Sequence, residues 1–236
     1  MSHRLHWAWL LALLSACAPT PPSAPDSPFV KIAANGEHLD LQQGPWACVL
    51  DRRSGLIWEN KSDNETQHFA AATYSWYDAE RSLGHRRLGT CHADKEQYPC
   101  DTSDLIEASR SKRLCGRADW RLPRATELAA LLDPDSAAGD PRIATALFPF
   151  TQWAPYWTQD GRRDAYGDLQ IAAIHFGEGR QLWLRGDLVA RARLVAGPQS
   201  SKDSHAAGPP AAVQMREGSA GLSPGWPFIS QRGVTP

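Results

Sequence analysis

The chain has 236 residues, of which 42% are hydrophobic and 22% are charged. These fractions are ordinary for a globular domain, so they exclude a wholly disordered chain and a membrane protein with several spans. The formal net charge is −1, from 25 basic and 26 acidic residues. A general affinity for nucleic acid is therefore not expected, and any site for a polyanion must be a local patch.

The first 17 residues predict export followed by lipid anchoring. Arg4 precedes an apolar run from Trp7 to Leu14, and a run of this length is too short to span a bilayer. The run ends in the letters L-S-A-C, which resemble the lipobox of bacterial lipoproteins, so Cys17 is the predicted site of acylation. Lipid chains bind a membrane with about 0.8 kcal/mol per buried methylene group. The alternative is an ordinary signal peptide that happens to contain a cysteine.

Composition divides the rest of the chain into a tether, a domain and a tail. Residues 18–44 are the predicted tether, because they open with a stretch rich in proline and serine. Residues 45–197 are the predicted domain, and residues 198–236 are a predicted disordered tail without an apolar period. Ala18 rather than Asp follows Cys17, which by resemblance to the sorting rule of Gram-negative lipoproteins favours the outer membrane. We therefore expect an outer-membrane lipoprotein of the bacterial cell envelope, on the periplasmic or the surface face.

Four cysteines remain when Cys17 is set aside, an even number in an oxidising compartment. Two disulfides are expected, and the three possible connectivities are not distinguished by the sequence alone. We favour Cys91 with Cys100 as a local loop, and Cys48 with Cys115 as a long closure. A zinc site is the alternative, but there is no C-x-x-C pair, so no metal is expected.

Short β-like runs separated by turn residues predict antiparallel sheet. Residues 46–50 and 56–58 flank a polar turn that ends in Gly55, which is typical of a hairpin, and residues 73–77 are a third candidate strand. The end of the domain predicts a three-stranded antiparallel meander. Its strands are residues 169–176, 180–184 and 188–195.

Two helices complete the predicted domain. Asp101 or Thr102 can cap a helix that runs to about Leu114, with acidic residues near its start and basic residues near its end. The second helix follows Pro123, where apolar residues fall on one helical face. These residues are Ala125, Leu128, Ala129 and Leu132. Two helices among antiparallel strands, joined by disulfides, predict an α+β fold rather than a parallel doubly wound sheet.

A series of motifs runs in order through the domain. The motifs are D-R-R-S-G-L-I-W-E at 51–59, T-Y-S-W-Y-D at 73–78, L-C-G at 114–116, D-W-R-L-P at 119–123, E-L at 127–128, F-P at 148–149, Y-W-T at 156–158 and the stretch 189–195. Together they resemble the family known as DUF1566, or the Lcl C-terminal domain. The resemblance implies a C-type-lectin-like fold and surface exposure. In the collagen-like adhesin that names the family, a trimer binds sulfated glycosaminoglycans. This chain lacks a collagen-like stretch, so trimerisation and polyanion binding do not carry over automatically.

The D-W-R-L-P motif predicts a structural role first. Trp120 and Leu122 would alternate inward on a short strand, and Pro123 would start the second helix with its preset φ angle. Asp119 and Arg121 can bond the backbone of the surrounding loop. The motif is therefore interpreted as scaffold.

The tryptophans divide into core and surface candidates. Trp58, Trp76, Trp157 and Trp183 lie in strand-like runs and are predicted to be core residues. Trp153 lies in a loop and is the candidate for an exposed stacking surface, with packing over the core as the alternative.

Catalytic and metal-binding patterns are missing from the sequence. There is no G-x-S-x-G, H-E-x-x-H, P-loop or dinucleotide motif, so neither an enzyme nor a cofactor is expected. Asp160, Asp164 and Asp168 could supply oxygen ligands for calcium, but Arg162 and Arg163 among them favour a solvated, charge-balanced loop.

The predicted function is binding rather than catalysis. The first hypothesis is adhesin-like recognition of a glycan or a sulfated polymer through Trp153 and a basic cluster. The cluster consists of Arg110, Lys112, Arg113, Arg117, Arg121 and Arg124. The alternative is a lipoprotein of envelope assembly that binds another protein, which the nearly neutral overall charge permits. A contiguous basic groove would favour the first hypothesis, and arginines paired with Asp and Glu would favour the second.

Overall fold

The computed structural model describes residues 27–93 and 96–199. The predicted lipidation site Cys17, the first part of the predicted tether and residues 200–236 of the predicted tail lie outside the described residues. Within the described residues, no helix is long and apolar enough to cross a membrane.

The described residues form short antiparallel strands and two α-helices, which confirms the α+β class. The helices are α1 (Thr102–Ser111) and α2 (Ala125–Ala129). The strands are β1 (Phe29–Ile32), β2 (His38–Leu39), β3 (Cys48–Asp51), β4 (Leu56–Glu59), β5 (Tyr74–Ser75), β6 (Tyr77–Asp78), β7 (Leu83–Gly84), β8 (Gly89–Ala93), β9 (Glu96–Cys100), β10 (Pro155–Arg163), β11 (Leu169–His175), β12 (Arg180–Arg185), β13 (Val189–Ala190) and β14 (Val195–Ala196).

The largest sheet has five strands in the order β14-β4-β3-β1-β2. Its centre contains the predicted hairpin of β3 and β4, which is confirmed. Strand β1 lies within residues 18–44, which were predicted to be a tether. It nevertheless pairs with β3 and buries Val30 and Ile32. Residues 29–32 of the predicted tether therefore belong to the largest sheet. The four-residue strand escaped detection because buried Lys31 interrupts its apolar pattern, and its Nζ donates to the Leu41 carbonyl oxygen over 2.7 Å.

The second sheet has three strands in the order β10-β11-β12. The predicted β11–β12 hairpin is confirmed, but residues 188–195 do not form the third strand. Instead β13 pairs with β5, and β14 pairs with β4. Strand β10 takes the third place, with a register shift between Trp157 and Gly161 that breaks the alternation expected of a strand.

Both predicted helices are present, and both are shorter than expected. Asp101 caps α1, since its side chain accepts hydrogen bonds from the backbone N–H groups of Ser103 and Asp104. The Asp104 carboxylate in turn accepts from the Asp101 N–H, which completes a capping box. Helix α1 ends at Ser111 rather than Leu114, because the chain then turns through residues with positive φ.

The core contains tryptophans whose N–H groups find carbonyl partners. Trp76 donates to the Thr158 carbonyl oxygen over 2.9 Å, and Trp157 donates to the Tyr74 carbonyl oxygen over 2.7 Å. These two rings and the ring of Trp58 are at most 2% exposed, so the prediction of all three as core residues is confirmed. The rings of Trp76 and Trp157 therefore combine apolar packing with a hydrogen bond to a segment distant in sequence.

Trp183 contradicts the core prediction. It lies on β12 but is 36% exposed, and the Arg162 guanidinium carbon stands 4.0 Å from its ring centroid. The prediction was wrong because the sequence of a strand does not show whether other parts of the protein cover both faces of its sheet. Strand β12 is an edge strand, and the face that carries Trp183 is partly open to solvent.

Both favoured disulfides are present. Cys48 on β3 is bonded to Cys115 in the turn after α1, and Cys91 is bonded to Cys100 across the β8–β9 hairpin. The first bond ties the largest sheet to the end of a helix, whereas the second closes a local loop.

We expect loss of the long-range disulfide to destabilise the fold more than loss of the local one. In the chain-entropy model, the Cys48→Ala/Cys115→Ala variant loses about 4 kcal/mol of unfolding free energy, and Cys91→Ala/Cys100→Ala loses about 3 kcal/mol. Urea unfolding of the oxidised protein, followed by tryptophan fluorescence, measures both values. An equal or reversed order would show that loop length does not decide the effect.

Candidate functional site

The end of helix α1 is a fixed corner that carries two exposed cations, Lys112 and Arg113. Arg113 and Cys115 have φ angles of 48° and 51°, which residues other than glycine rarely adopt. The Cys115 N–H donates to the Ala34 carbonyl oxygen over 3.1 Å, and the disulfide to Cys48 holds the same residue. The corner is therefore held in place by contacts with the largest sheet and its loops.

Lys112 and Arg113 have no ion-pair partner within residues 27–93 and 96–199. The Asp104 carboxylate on the same helix binds Arg87 instead, with 3.3 Å between Arg87 Nη2 and Asp104 Oδ1. These two cations therefore present uncompensated positive charge to solvent.

Two other arginines of the predicted cluster are paired. Arg117 binds Asp119 with 2.7 Å between Nη2 and Oδ2, and its hydrogen bond lowers the pKa of the Asp119 carboxyl group. Arg121 binds Glu127 through both guanidinium Nη atoms, over 2.7 and 2.8 Å. The predicted cluster is thus divided into free and neutralised charges.

The remaining two arginines of the cluster lie partly inside the protein. Arg110 donates through Nε to the Trp120 carbonyl oxygen over 2.7 Å, which ties helix α1 to the D-W-R-L-P segment. Arg124 is half-buried at the start of α2, where its N–H donates to Glu127 over 2.8 Å. The Arg110 side chain therefore supports the fold, and the backbone of Arg124 helps to start helix α2.

The D-W-R-L-P segment is scaffold, as its residues predicted. Trp120 and Leu122 are buried, at 0% and 5% exposure. Arg121 exchanges backbone hydrogen bonds with Val195, and the Asp119 carboxylate accepts from the Gly197 N–H over 3.0 Å. The segment therefore joins the closing strand of the domain to the second helix.

Trp153 is an exposed aromatic side chain in the loop before β10, at 53% exposure. Its ring packs on the backbone of Gly177 in the β11–β12 turn, where an added Cβ would stand 2.2 Å from the ring. Phe150 in the same loop is 46% exposed and has a φ angle of 61°. Trp153 therefore shares a loop with a second exposed aromatic residue, and it packs on a turn of the second sheet rather than on the α1 corner.

A buried ionic centre surrounds Glu59, which is fully enclosed. Lys61 Nζ and His68 Nδ1 donate to the same carboxylate oxygen over 2.6 and 2.7 Å, and the Leu194 N–H donates to the other oxygen over 2.8 Å. Burial by itself would raise the pKa of Glu59, but the charges and hydrogen bonds of Lys61 and His68 outweigh it and lower the pKa from 4.5 to about 2. Glu59 is therefore ionised inside the core.

Arg193 extends this centre. Its guanidinium donates to the Glu59 carbonyl oxygen over 2.6 Å and to the Thr151 hydroxyl over 2.8 Å, and it lies 5.0 Å from the Phe148 ring centroid. Sequence reasoning missed the whole centre. The only available signal was the polar E-N-K run at 59–61, which begins at the last residue of β4 and is also typical of a surface loop.

The aspartates considered for calcium have structural partners. Asp160 accepts from the Ala125 N–H over 2.7 Å at the start of α2, and Asp164 accepts from the N–H groups of Tyr166 and Asp168 within its own turn. Among the described residues, no three or more His, Cys, Asp or Glu side chains are grouped so that they could hold a metal ion.

Comparison of the chain with known protein families gives a match. The family model of the Lcl C-terminal domain matches residues 47–196. The chain belongs to the Lcl C-terminal domain family. The matched region runs from β3 to β14 and includes both disulfides, the α1 corner and the Glu59 centre. No curated protein and no solved structure matches the chain.

We expect Glu59→Gln to lower the unfolding free energy at pH 7 by about 3 to 5 kcal/mol, because it leaves the buried Lys61 ammonium without its carboxylate partner. The lowered pKa means that Glu59 stabilises the wild type above pH 4.5 and that this stabilisation, about 3 kcal/mol, disappears as the pH falls toward 2. Urea unfolding at several pH values measures both effects.

The control is Asp119→Asn, which removes an exposed ion pair and is expected to cost at most about 1 kcal/mol. A Glu59→Gln variant whose stability fell between pH 4.5 and 2 as steeply as that of the wild type would show that Glu59 is not the group responsible.

Proposed function

We propose that this protein is a lipid-anchored binding module of the bacterial cell envelope and that it recognises an anionic glycan such as a sulfated polysaccharide. One observation carries the proposal: Lys112 and Arg113 form an exposed cationic corner without carboxylate partners in the described part of the chain. Acylated Cys17 would anchor the module in the outer membrane. The disulfide-stapled antiparallel sheets with two helices are compatible with a C-type-lectin-like fold, which forms part of the proposal.

A rigid corner favours binding because the backbone at Lys112 and Arg113 does not have to be ordered when the ligand binds, so little backbone conformational entropy is lost there. Two exposed cations give a weak site by themselves. The proposed ligand is therefore a polymer, along which repeated anionic groups allow many such contacts.

Binding rather than catalysis is supported by where the perturbed ionisable groups lie. Glu59, whose pKa is strongly lowered, is enclosed in the core and hydrogen-bonded to structural partners. A general acid or base must instead reach a substrate. The proposal therefore includes no catalytic residue and no cofactor.

A second candidate function is recognition of another envelope protein. The exposed aromatic side chains of Phe150 and Trp153 favour it, since aromatic residues dominate protein contact surfaces. The ion pairs of Arg117 and Arg121 point the same way, because they reduce the free charge available to a polyanion.

We expect the wild type to be retained on heparin at low salt and to elute as salt rises, because pairing of charges with a polyanion releases counterions and is screened by salt. Lys112→Ala/Arg113→Ala should elute at clearly lower salt. Its unfolding free energy should change by less than about 0.5 kcal/mol, since both residues are exposed. Salt-gradient chromatography and urea unfolding provide the two readouts.

Arg117→Ala is the matched control, because its charge is already neutralised by Asp119. A control that lost as much retention as the double variant would contradict the distinction between free and paired cations. If the wild type were not retained even at low salt, recognition of a partner protein would become the leading function.

Anchoring has its own test. Because Cys17 is the proposed acylation site, Cys17→Ser should move the protein from the membrane fraction to the soluble fraction and abolish labelling with a fatty-acid probe. Cell fractionation with metabolic labelling measures both outcomes. A variant that stayed with the membrane, together with an unlabelled wild type, would disprove the lipoprotein assignment.

A further inference from the structure

The ring of Trp153 lies against the second sheet through one of its two faces. A Cβ atom added to Gly177 would stand 2.2, 2.2 and 2.3 Å from three atoms of the five-membered ring, namely Cδ1, Nε1 and Cε2. Nearly equal distances to three ring atoms place the Gly177 backbone over a face of the indole rather than at its edge. Gly177 is accordingly buried, although the next residue of the β11–β12 turn is exposed.

The other face of the Trp153 ring is open. Trp153 is 53% exposed although Gly177 covers one face, so most of the exposed area belongs to the opposite face. Within residues 27–93 and 96–199, its Nε1–H group has no hydrogen-bond acceptor, and neither a cation nor an aromatic ring stacks on it. Trp183 is also exposed, but the Arg162 guanidinium stacks on its ring. Trp153 thus offers a free aromatic face, and Trp183 does not.

The loop that carries Trp153 is held by buried groups. The Thr151 hydroxyl accepts a hydrogen bond from the buried Arg193 guanidinium over 2.8 Å. The Gln152 N–H donates to the Tyr156 hydroxyl over 2.9 Å. Both neighbours on the N-terminal side of Trp153 are therefore fixed, so a ligand that stacks on the ring has little of the loop to order.

Polar side chains lie in the turn that supports the ring. Glu178 directly follows Gly177, and Arg180 binds the Glu178 carboxylate, with 2.6 Å between Nε and Oε2. Both side chains are exposed. A carboxylate accepts hydrogen bonds from hydroxyl groups, whereas a guanidinium and an indole N–H donate to them. Partners for hydroxyl groups are therefore available within three residues of Gly177.

We propose that Trp153 is a stacking site for a neutral, β-linked pyranose unit of a glycan. The inference rests on the proposed function, because it takes the ligand to be a glycan, and it adds a subsite apart from the α1 corner. A β-linked pyranose with equatorial hydroxyl groups has C–H bonds on its flat faces and hydroxyl groups around its edge. Such a face packs on the electron-rich face of an indole, which is apolar and carries one polar N–H group.

The surroundings of the ring favour a sugar over a protein partner. A stable protein interface buries about 800 Å² on each partner and has a fully buried core that is depleted in charged residues. The turn beneath Trp153 instead carries the exposed ion pair of Glu178 and Arg180. Stacking of one sugar needs only the open face of one ring.

The test is a titration of the purified full chain with cellotetraose, a neutral oligomer of β-linked glucose, followed through the indole N–H signals in two-dimensional NMR. The signals of Trp153 and Trp183 are those missing from Trp153→Ala and Trp183→Ala. We expect millimolar cellotetraose to shift the Trp153 signal and to leave the Trp183 signal unchanged. Sorbitol, which has similar hydroxyl groups but no ring, should shift neither signal.

Three variants test the role of the open ring face. Trp153→Ala should weaken cellotetraose binding at least about tenfold, because it removes the stacking surface. Trp183→Ala is the matched control and should bind as the wild type does. Gly177→Ala should shift the Trp153 signal without sugar and should weaken binding, because the new Cβ displaces the ring without removing any of its atoms. Urea unfolding checks that each variant is folded.

Several results would overturn this inference. They are an unshifted Trp153 signal at millimolar cellotetraose, unchanged binding by folded Trp153→Ala, an equal loss in Trp183→Ala, and unchanged binding by a Gly177→Ala variant whose Trp153 signal has moved. An unshifted signal would leave the exposed ring to a protein partner.

Heparin chromatography separates this inference from the proposed function. A chain that is retained on heparin but does not bind cellotetraose keeps the anionic-glycan function and loses the Trp153 subsite. A chain that binds neither ligand loses both. Lys112→Ala/Arg113→Ala should bind cellotetraose as the wild type does, because the α1 corner is not part of the Trp153 subsite.

Discussion

The contact between strand β4 and the last segment of the folded domain depends on the Glu59 carboxylate. An ionised carboxylate without water must be compensated by positive charge and hydrogen bonds, and Lys61, His68 and the Leu194 N–H provide them. Arg193 adds a bond to the Glu59 carbonyl oxygen. Strand β4 is thereby joined to the segment that leads into β14. The end of the folded domain is therefore held against the β3–β4 hairpin by charge as well as by sheet pairing.

Contacts between segments distant in sequence also position the α1 corner, which is the proposed binding surface. The Cys48–Cys115 disulfide fixes the α1 corner to the largest sheet, and Arg110 ties the same helix to the Trp120 carbonyl oxygen. In the second sheet, strand β12 supplies Trp183 as a support for Arg162 of β10.

Local sequence signals were informative where one segment decides its own structure. The Asp101 cap and the β3–β4 hairpin follow from contacts among residues close in sequence. Strand β1 was missed because a buried lysine interrupts its apolar pattern. Strand β10 was indicated only by the strand-like run around Trp157, and its place in the second sheet was missed because a register shift interrupts the strand. The two-residue strands β13 and β14 carry too few residues to reveal their partners, which lie far away in the chain.

The sequence by itself determined the α+β class, the two helices, the family and, by even cysteine count, the presence of two disulfides. Only the tertiary structure decided which basic residues are free, since Arg117 and Arg121 meet carboxylates while Lys112 and Arg113 do not. The physical reason is that charge compensation is a matter of a few ångströms in space. A run of arginines in sequence carries no information about which acidic side chains the fold brings beside them, or about which aromatic ring supports a guanidinium from another strand.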